Sequence, residues 1–191
     1  MTEITKRHVV KVPLNISLYY CDKSQIIVFS SLLKRRSLKL KTKIIVDKTK
    51  KNIKVTQEPF FSVSNSDRKK LKILQATYVV LLKQLILDVS TSFCKRLVLV
   101  GVGYKIILLQ ILNTAVLHLK LGYSHHIYFK IPKNLKVFCL KGNKFFIKGD
   151  SYTFVTQIAA IIRSYKTPEP YKGKGILYAT EKITLKEGKK I

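Results

Sequence analysis

Two stretches of this chain, one near the start and one near the end, lie on each other without a gap. "VPLNISLYYCDKSQIIVFSS" (residues 12–31) matches "IPKNLKVFCLKGNKFFIKGD" (residues 131–150). Pro13 meets Pro132 and Asn15 meets Asn134. Ile16 meets Leu135, Leu18 meets Val137, Ile27 meets Phe146 and Val28 meets Ile147. Each copy reads as strand, turn and strand, and each is later followed by an amphipathic helix. A 191-residue chain that repeats such a unit folds as two related modules, because a short hairpin buries its apolar face only against another element. The expectation is an α+β fold of two tandem related modules, each a small antiparallel sheet packed on one helix. Residues 1–75 supply the strands of the first module and 76–94 a helix that completes it and links to the second. Residues 95–166 form the second module, and 167–191 a basic C-terminal extension.

Short strands are expected at "HVVKVP", "NISLYY" and "QIIVFSS", then in "LKLKTKIIV" and "NIKV". In "LKLKTKIIV", Leu38, Leu40 and Ile44 alternate with Lys39, Lys41 and Lys43. A single strand there would present its lysines as a row roughly 6.6 Å apart. Residues 57–71 read as loop, from Pro59 and a Ser/Asn/Asp cluster. Tyr78, Leu82, Leu85, Ile86, Val89 and Phe93 recur at helical spacing after it. "KRLVLVGVGYKIILLQI" reads as one strand with "NTAVLHLKLGY" as its hairpin partner, and "HIYFKIP" as a short edge strand. Strands "NLKVFCL" and "KFFIKG" join through a turn at 141–143. Asp150 or Ser151 caps a second helix over 153–165, with a buried stripe of Phe154, Ile158, Ile161, Ile162 and Tyr165. Pro168 ends the regular structure.

Charge limits what such a protein does. There are 37 basic and 10 acidic residues, a net charge of +27, with 47% hydrophobic residues to supply a core. Self-repulsion of this size opposes a compact state unless a polyanion neutralises it. Nucleic acid is the first candidate and an anionic membrane the second. Lysines outnumber arginines 31 to 6, which suits diffuse phosphate neutralisation better than forked clamping of one anion. Residues 34–54 hold ten basic residues against Asp47 alone, a block that repels itself without counter-charge. Three cysteines, Cys21, Cys94 and Cys139, form no Cys-x-x-Cys pair and read as reduced core residues. No secretory or Arg-rich leader pattern opens the chain, and its most apolar window, residues 97–112, is short for a membrane span. The chain is read as soluble.

Enzyme chemistry finds little to work with. The acids are scattered, with no paired carboxylates and no nucleophile–histidine arrangement. His125 and His126 lack flanking ligands at metal spacing. "GVGY" (101–104) lacks the third glycine of a phosphate loop and is followed by a strand, so it reads as a strand bend. No enzyme activity, cofactor, small-molecule substrate or membrane insertion is expected.

The C-terminal stretch carries the functional signal. Arg163, Lys166, Lys172, Lys174, Lys182, Lys186, Lys189 and Lys190 are interleaved with Tyr165, Tyr171 and Tyr178. Lysines attract phosphates, and tyrosines stack on bases or donate to backbone oxygens. Gly173 and Gly175 would let backbone N–H groups come close to an RNA strand. Lys39, Lys41 and Lys43 are a second candidate contact.

"RSYKTPEPYKGKGILYATEKITLKEGKK", "LVLVGVGYK" and "LKLGYSH" followed by "IP" resemble the large-subunit ribosomal protein six family of bacterial type. The likeness runs from Lys95 to Lys190 and is most specific over Pro168–Ile176. It implies two tandem α/β modules and a structural constituent of the large ribosomal subunit. It also implies rRNA binding near the sarcin–ricin loop, beside the region where translational GTPases dock, with ribosomal proteins as neighbours. Tyr171, Lys172, Gly173, Lys174 and Gly175 take the place of the rRNA-contacting loop, flanked by Arg163 and Lys166. Gly101, Gly103 and Tyr104 match a structural strand-turn motif. His126 replaces the usual proline and Lys105 an arginine. The lysine- and isoleucine-rich composition suggests a mitochondrially encoded member acting in a mitochondrial ribosome, with a plastid or an AT-rich bacterium as the competing origin. A free RNA-binding regulator or chaperone with the same modules is the alternative function.

Overall fold

The computed structural model describes residues 8–47, 49, 51–60, 68–111, 114–140 and 143–188. The chain divides into two compact units, Met1–Thr91 and Ser92–Ile191. The first holds strands β1 (Val9–Lys11), β2 (Ser17–Cys21), β3 (Ile26–Ser30), β4 (Arg35–Lys39), β5 (Thr42–Asp47) and β6 (Asn52–Pro59), then helix α1 (Arg68–Ser90). The second holds β7 (Phe93–Val100), β8 (Lys105–Ile111), β9 (Thr114–Lys120), β10 (Ile127–Lys130), β11 (Leu135–Leu140) and β12 (Lys144–Gly149), then α2 (Tyr152–Ser164) and β13 (Gly175–Tyr178). The fold is α+β with every strand pair antiparallel.

Each unit has two small sheets rather than the single one expected. Their orders are β1-β6-β5 and β2-β3-β4 in the first unit, and β11-β12-β7-β13 and β10-β9-β8 in the second. Taken in chain order, β1 to β6 correspond to β7 to β12, with a helix after the sixth strand in both. The units are therefore related modules, but not through the alignment that suggested it. Residues 12–31 span the β2–β3 hairpin and residues 131–150 the β11–β12 hairpin, whose topological counterpart is β5–β6. The inward phases also disagree: Ile27 and Phe29 are buried in β3, Phe145 and Ile147 in β12, one residue off the gapless match. A one-residue slip turns a strand over, and short amphipathic hairpins resemble one another whatever their place in a module.

The first core gathers Val10, Ile27, Phe29, Leu40, Ile53 and Val55 under the α1 face made by Tyr78, Val79, Leu82, Ile86 and Val89. That face follows the 3.6-residue period. Leu85 is only half-buried on its flank, and Phe93 belongs to β7, beyond the helix. Gln75 is buried on the same face and donates its Nε2–H to the Val55 carbonyl at 2.7 Å, so a polar side chain is satisfied inside the core. The region expected as loop is shorter than 57–71: β6 runs to Pro59 and α1 starts at Arg68, while 61–67 lie outside the described residues. Residues 69–90 are long and apolar enough to cross a membrane by length and composition; here one side of that helix covers the first core.

The second core packs Leu97, Leu99, Leu117, Leu119, Phe145 and Ile147 against α2. The buried stripe of α2 is Val155, Ile158, Ala159 and Ile162, which shares only Ile158 and Ile162 with the expected set. Ile161 is exposed, and Phe154 and Tyr165 are half-buried at the margins. The seat is centred on small Ala159, which lets helix and sheet approach closely where large side chains on that line would hold them apart. Ser151 stands at the N-cap with no side-chain capping bond; its hydroxyl lies 3.0 Å from that of Thr153.

Three other expectations change. The single strand over "LKLKTKIIV" is two strands in different sheets, β4 and β5, with a corner at residues 40–41 and a register shift after Thr42. Inward and outward positions still alternate through the corner: Leu40, Thr42 and Ile44 are buried and Lys39, Lys41 and Lys43 exposed. Alternation reports which side faces the core, not which strand is the partner. "KRLVLVGVGYKIILLQI" is likewise broken at 101–104, where Gly101 adopts φ +153° and a Cβ on it would come 2.8 Å from the Tyr104 ring. Finally, Cys21 and Cys94 are exposed and Cys139 half-buried, all three free; apolar neighbours along a strand point to the opposite face. The turn residues 141 and 142 lie outside the described set.

Candidate nucleic-acid interface

The C-terminal stretch is built onto the second module rather than trailing from it. Regular structure resumes after Pro168: β13 adds to the free edge of β7 with Gly175 opposite Val100 and Tyr178 opposite Leu97. Ile176 is fully buried. The sequence "GILY" has the β-branched and aromatic bias of a strand, but it is short, and its basic surroundings masked it. The segment between α2 and β13 becomes a closed loop. The Gly173 N–H donates to the Glu169 carbonyl, the Glu169 N–H to the Lys174 carbonyl and the Ile176 N–H to the Lys166 carbonyl, each at 2.9 Å. The Lys186 N–H then donates to the Pro170 carbonyl at 2.9 Å, holding the following chain against the loop.

The two loop glycines also have local tasks in the fold. Gly173, at φ +66°, makes the left-handed turn, and its N–H is already used inside the loop. Gly175, at φ +150°, is buried; a Cβ there would lie 2.7 Å from Pro168 Cα and 2.8 Å from the Thr167 carbonyl oxygen. Its bareness admits the protein's own backbone at Thr167 and Pro168.

Arg163, near the end of α2, faces inward to an ion pair. Its Nε donates to Glu181 Oε2 at 3.0 Å and its terminal nitrogen to Glu181 Oε1, a two-bond fork. Glu181 Oε2 also accepts the Tyr178 N–H at 3.2 Å. The fork raises the Arg163 pKa, and the same hydrogen bonds from Arg163 hold the Glu181 carboxyl below its ordinary range. Both side chains are about three-quarters covered. The Arg163 guanidinium also lies 5.6 Å from the centre of the Tyr178 ring, and Lys95 Nζ 5.5 Å from it. Arg163 thus ties the tail to the helix. Lys166 Nζ sits 4.2 Å from the Tyr123 ring centre, and the Tyr123 hydroxyl donates to the Tyr165 carbonyl at 3.1 Å. Such a cation–π contact positions an ammonium without neutralising it.

What remains outward of the expected contact residues is a smaller set. Tyr171 and Lys172 are exposed at the loop tip, Lys174 is half-buried beside them, and Lys182 and Lys186 are exposed on the following chain. Tyr104, Tyr123, Ser164, Tyr165, Lys166, Thr167, Glu169 and Lys174 line a polar hollow of about 440 Å³ behind the loop. Lys189 and Lys190 lie outside the described residues. Lys39, Lys41 and Lys43 belong to the first unit, on two strands and the corner between them, and Lys43 pairs with Glu58 at 3.6 Å. Sequence reasoning missed Glu181, Tyr123 and Lys95. Glu181 left a signal, as one of three acids in a basic tail; the other two are far away in sequence.

Residues 100–179 match the family model described as Ribosomal protein L6. The chain is 38% identical over 191 residues to "Large ribosomal subunit protein uL6" of Mycoplasmoides gallisepticum, covering 99% of this chain and 97% of the relative. It is 40% identical over 151 residues to the uL6 of Chloroherpeton thalassium, covering 79% and 78%. It is 42% identical over 144 residues to "Large ribosomal subunit protein uL6m" of Reclinomonas americana, covering 73% and 76%. Two α+β modules and a strongly basic balance fit a structural protein of the ribosome, which is how these relatives are named. The chain belongs to the ribosomal protein L6 family, whose members are constituents of the large subunit.

Proposed function

We propose that the chain is a structural constituent of the large ribosomal subunit that grips large-subunit rRNA through the loop between α2 and β13. Tyr171, Lys172 and Lys174 form the contact, with Lys182 and Lys186 beside it and Lys189 and Lys190 extending it. Arg163, Lys166, Gly173 and Gly175 act behind that surface by holding its shape. The observation that carries this reading is the closed backbone of the loop, which presents lysines and a tyrosine from a frame anchored in a core strand. Counterion release drives association, while the fixed frame selects a local RNA shape over a base sequence. Lys39, Lys41 and Lys43 are a secondary phosphate contact of the first module.

The same reading puts the loop near the sarcin–ricin loop and the docking region of translational GTPases, as the family resemblance implies, and the chain in a mitochondrial ribosome. The mitochondrial part rests on the lysine- and isoleucine-rich composition, and one relative is named uL6m. Iron-chelate hydroxyl-radical cleavage directed from position 172 in purified large subunits tests the location. Cuts in the sarcin–ricin region are expected; cuts confined to other rRNA domains would refute it. Organelle fractionation followed by sedimentation tests the compartment: a chain recovered only in plastid or bacterial particles excludes the mitochondrial assignment.

A further inference from the structure

The functional reading leaves unused the outward face of the β10-β9-β8 sheet. Register defines that face directly, since residues paired across antiparallel strands share a side. Ile107 pairs with His118, which pairs with Tyr128; Leu109 pairs with Val116, which pairs with Lys130; Ile111 pairs with Thr114. Lys105 and Lys120 pair at the end of the same face. Ile106, Leu117 and Leu119 point the other way, into the core. Ile107 is 46% exposed, Ile111 47% and Tyr128 59%, while Leu109 and Val116 are half-covered by their neighbours. The His118 ring stacks on Tyr128 at 4.9 Å with 12° between planes, a flat aromatic step at one end of the aliphatic row.

An apolar sheet face in a chain of net charge +27 is out of keeping with an RNA-facing surface. Phosphates gain little from isoleucine and leucine, and covering these side chains with hydrated backbone forgoes the benefit of removing them from water. A second copy fits no better, because stacking two such faces brings the Lys105, Lys120 and Lys130 rims, and two strongly positive bodies, together. The complement of an apolar centre with a lysine rim is an apolar centre with an acidic rim.

We infer that the β8–β9–β10 outer face docks another protein of the large subunit, through a segment with apolar side chains flanked by Asp or Glu. The proposal rests on the reading of the chain as a large-subunit constituent and adds the surface and the partner's chemistry. Ile107, Leu109, Ile111 and Tyr128 supply the apolar seat, and Lys105, Lys120 and Lys130 pair with the partner's acids.

The test is photocrosslinking in purified large subunits, with a benzophenone side chain installed at position 107, 111 or 128 and a control at 172. The expected result is a crosslink from the three face positions to one protein, in a peptide where acids outnumber bases, while the control reaches rRNA. Crosslinks from the face to rRNA, to a second copy of the chain, or to nothing while the control reacts would overturn the inference. If the chain is absent from the particles, the functional reading fails instead, so the two failures are distinct. Replacing Ile107→Lys together with Ile111→Lys, outward positions that leave the core intact, should loosen the partner at least about tenfold in a salt wash. The chain's own retention should change by less than about twofold, since charge at these sites does not touch the C-terminal loop. Unaltered partner retention would refute the assignment.

Discussion

Replacing Gly175→Ala separates two explanations for a glycine in the C-terminal loop. If the residue lets RNA come close, alanine harms the complex and spares the free protein. If it admits the protein's own backbone, the free protein suffers first. The magnitude follows from local geometry. The φ of +150° belongs to a region that L side chains rarely adopt, and holding alanine there costs about 1–3 kcal/mol. The added Cβ would lie 2.7 Å from Pro168 Cα and 2.8 Å from Pro168 N, whereas carbon atoms rest at roughly 3.5–4.0 Å. The obstacle is backbone, so the loop must shift by about 1 Å, an overpacking cost of about 1–3 kcal/mol. Together these give about 2–6 kcal/mol, which in a unit of this size lowers Tm by at least about 8 °C. Thermal unfolding without RNA should show that loss, and hydrogen exchange should quicken first at Ile176–Tyr178. Gly173→Ala is the companion: its Cβ would meet only Leu185 Cδ2, at 3.4 Å, so the left-handed turn alone costs about 1–2 kcal/mol. A Gly175→Ala protein with wild-type Tm and lost rRNA affinity would refute the packing argument.

Replacing Lys172→Ala together with Lys174→Ala should lower the salt dependence of rRNA binding by about two in log–log slope, with Tm unchanged; an unaltered slope in filter binding from low to moderate salt removes the loop from the contact. Glu181→Gln breaks the charged fork to Arg163 and should destabilise the second unit by about 1–3 kcal/mol at neutral pH. Because the folded-state pKa of Glu181 is depressed, chiefly by the Arg163 hydrogen bonds, its stabilisation is present above the ordinary glutamate pKa. It disappears as pH falls through the lowered value. The wild-type advantage in Tm should therefore vanish on acidification, and an advantage that persists at low pH would contradict the assignment. In the first unit, the Thr42 hydroxyl is buried with no hydrogen-bond partner among the described residues. Thr42→Val should be neutral or stabilising by up to about 2 kcal/mol in denaturant unfolding; a clear loss of stability would mean the hydroxyl is satisfied.

Period-two and period-3.6 patterns, turn residues and net charge were readable along the chain because they are local or summed quantities. From them came the α+β class, both helices, the β8–β9 and β11–β12 hairpins and a basic loop at the C-terminus, whereas the paired modules were expected from a repeat whose alignment the topology does not follow. The places where linear reading went astray share one cause. Alternation at Leu40, Thr42 and Ile44 names the buried side but not the partner strand, so a corner between two sheets looked like one strand. "GILY" became β13 because β7 had a free edge to offer, and only the folded sheet supplies that edge. Pro168 and Thr167 fill the space beside Gly175, a contact that the linear sequence did not show. Arg163 meets Glu181, eighteen positions away, a pairing that only the fold brings about. Composition required that something neutralise this chain, since charge is counted without coordinates. Which lysines are free to do so, and which arginine is already paired inside, depends on distances that exist only after folding.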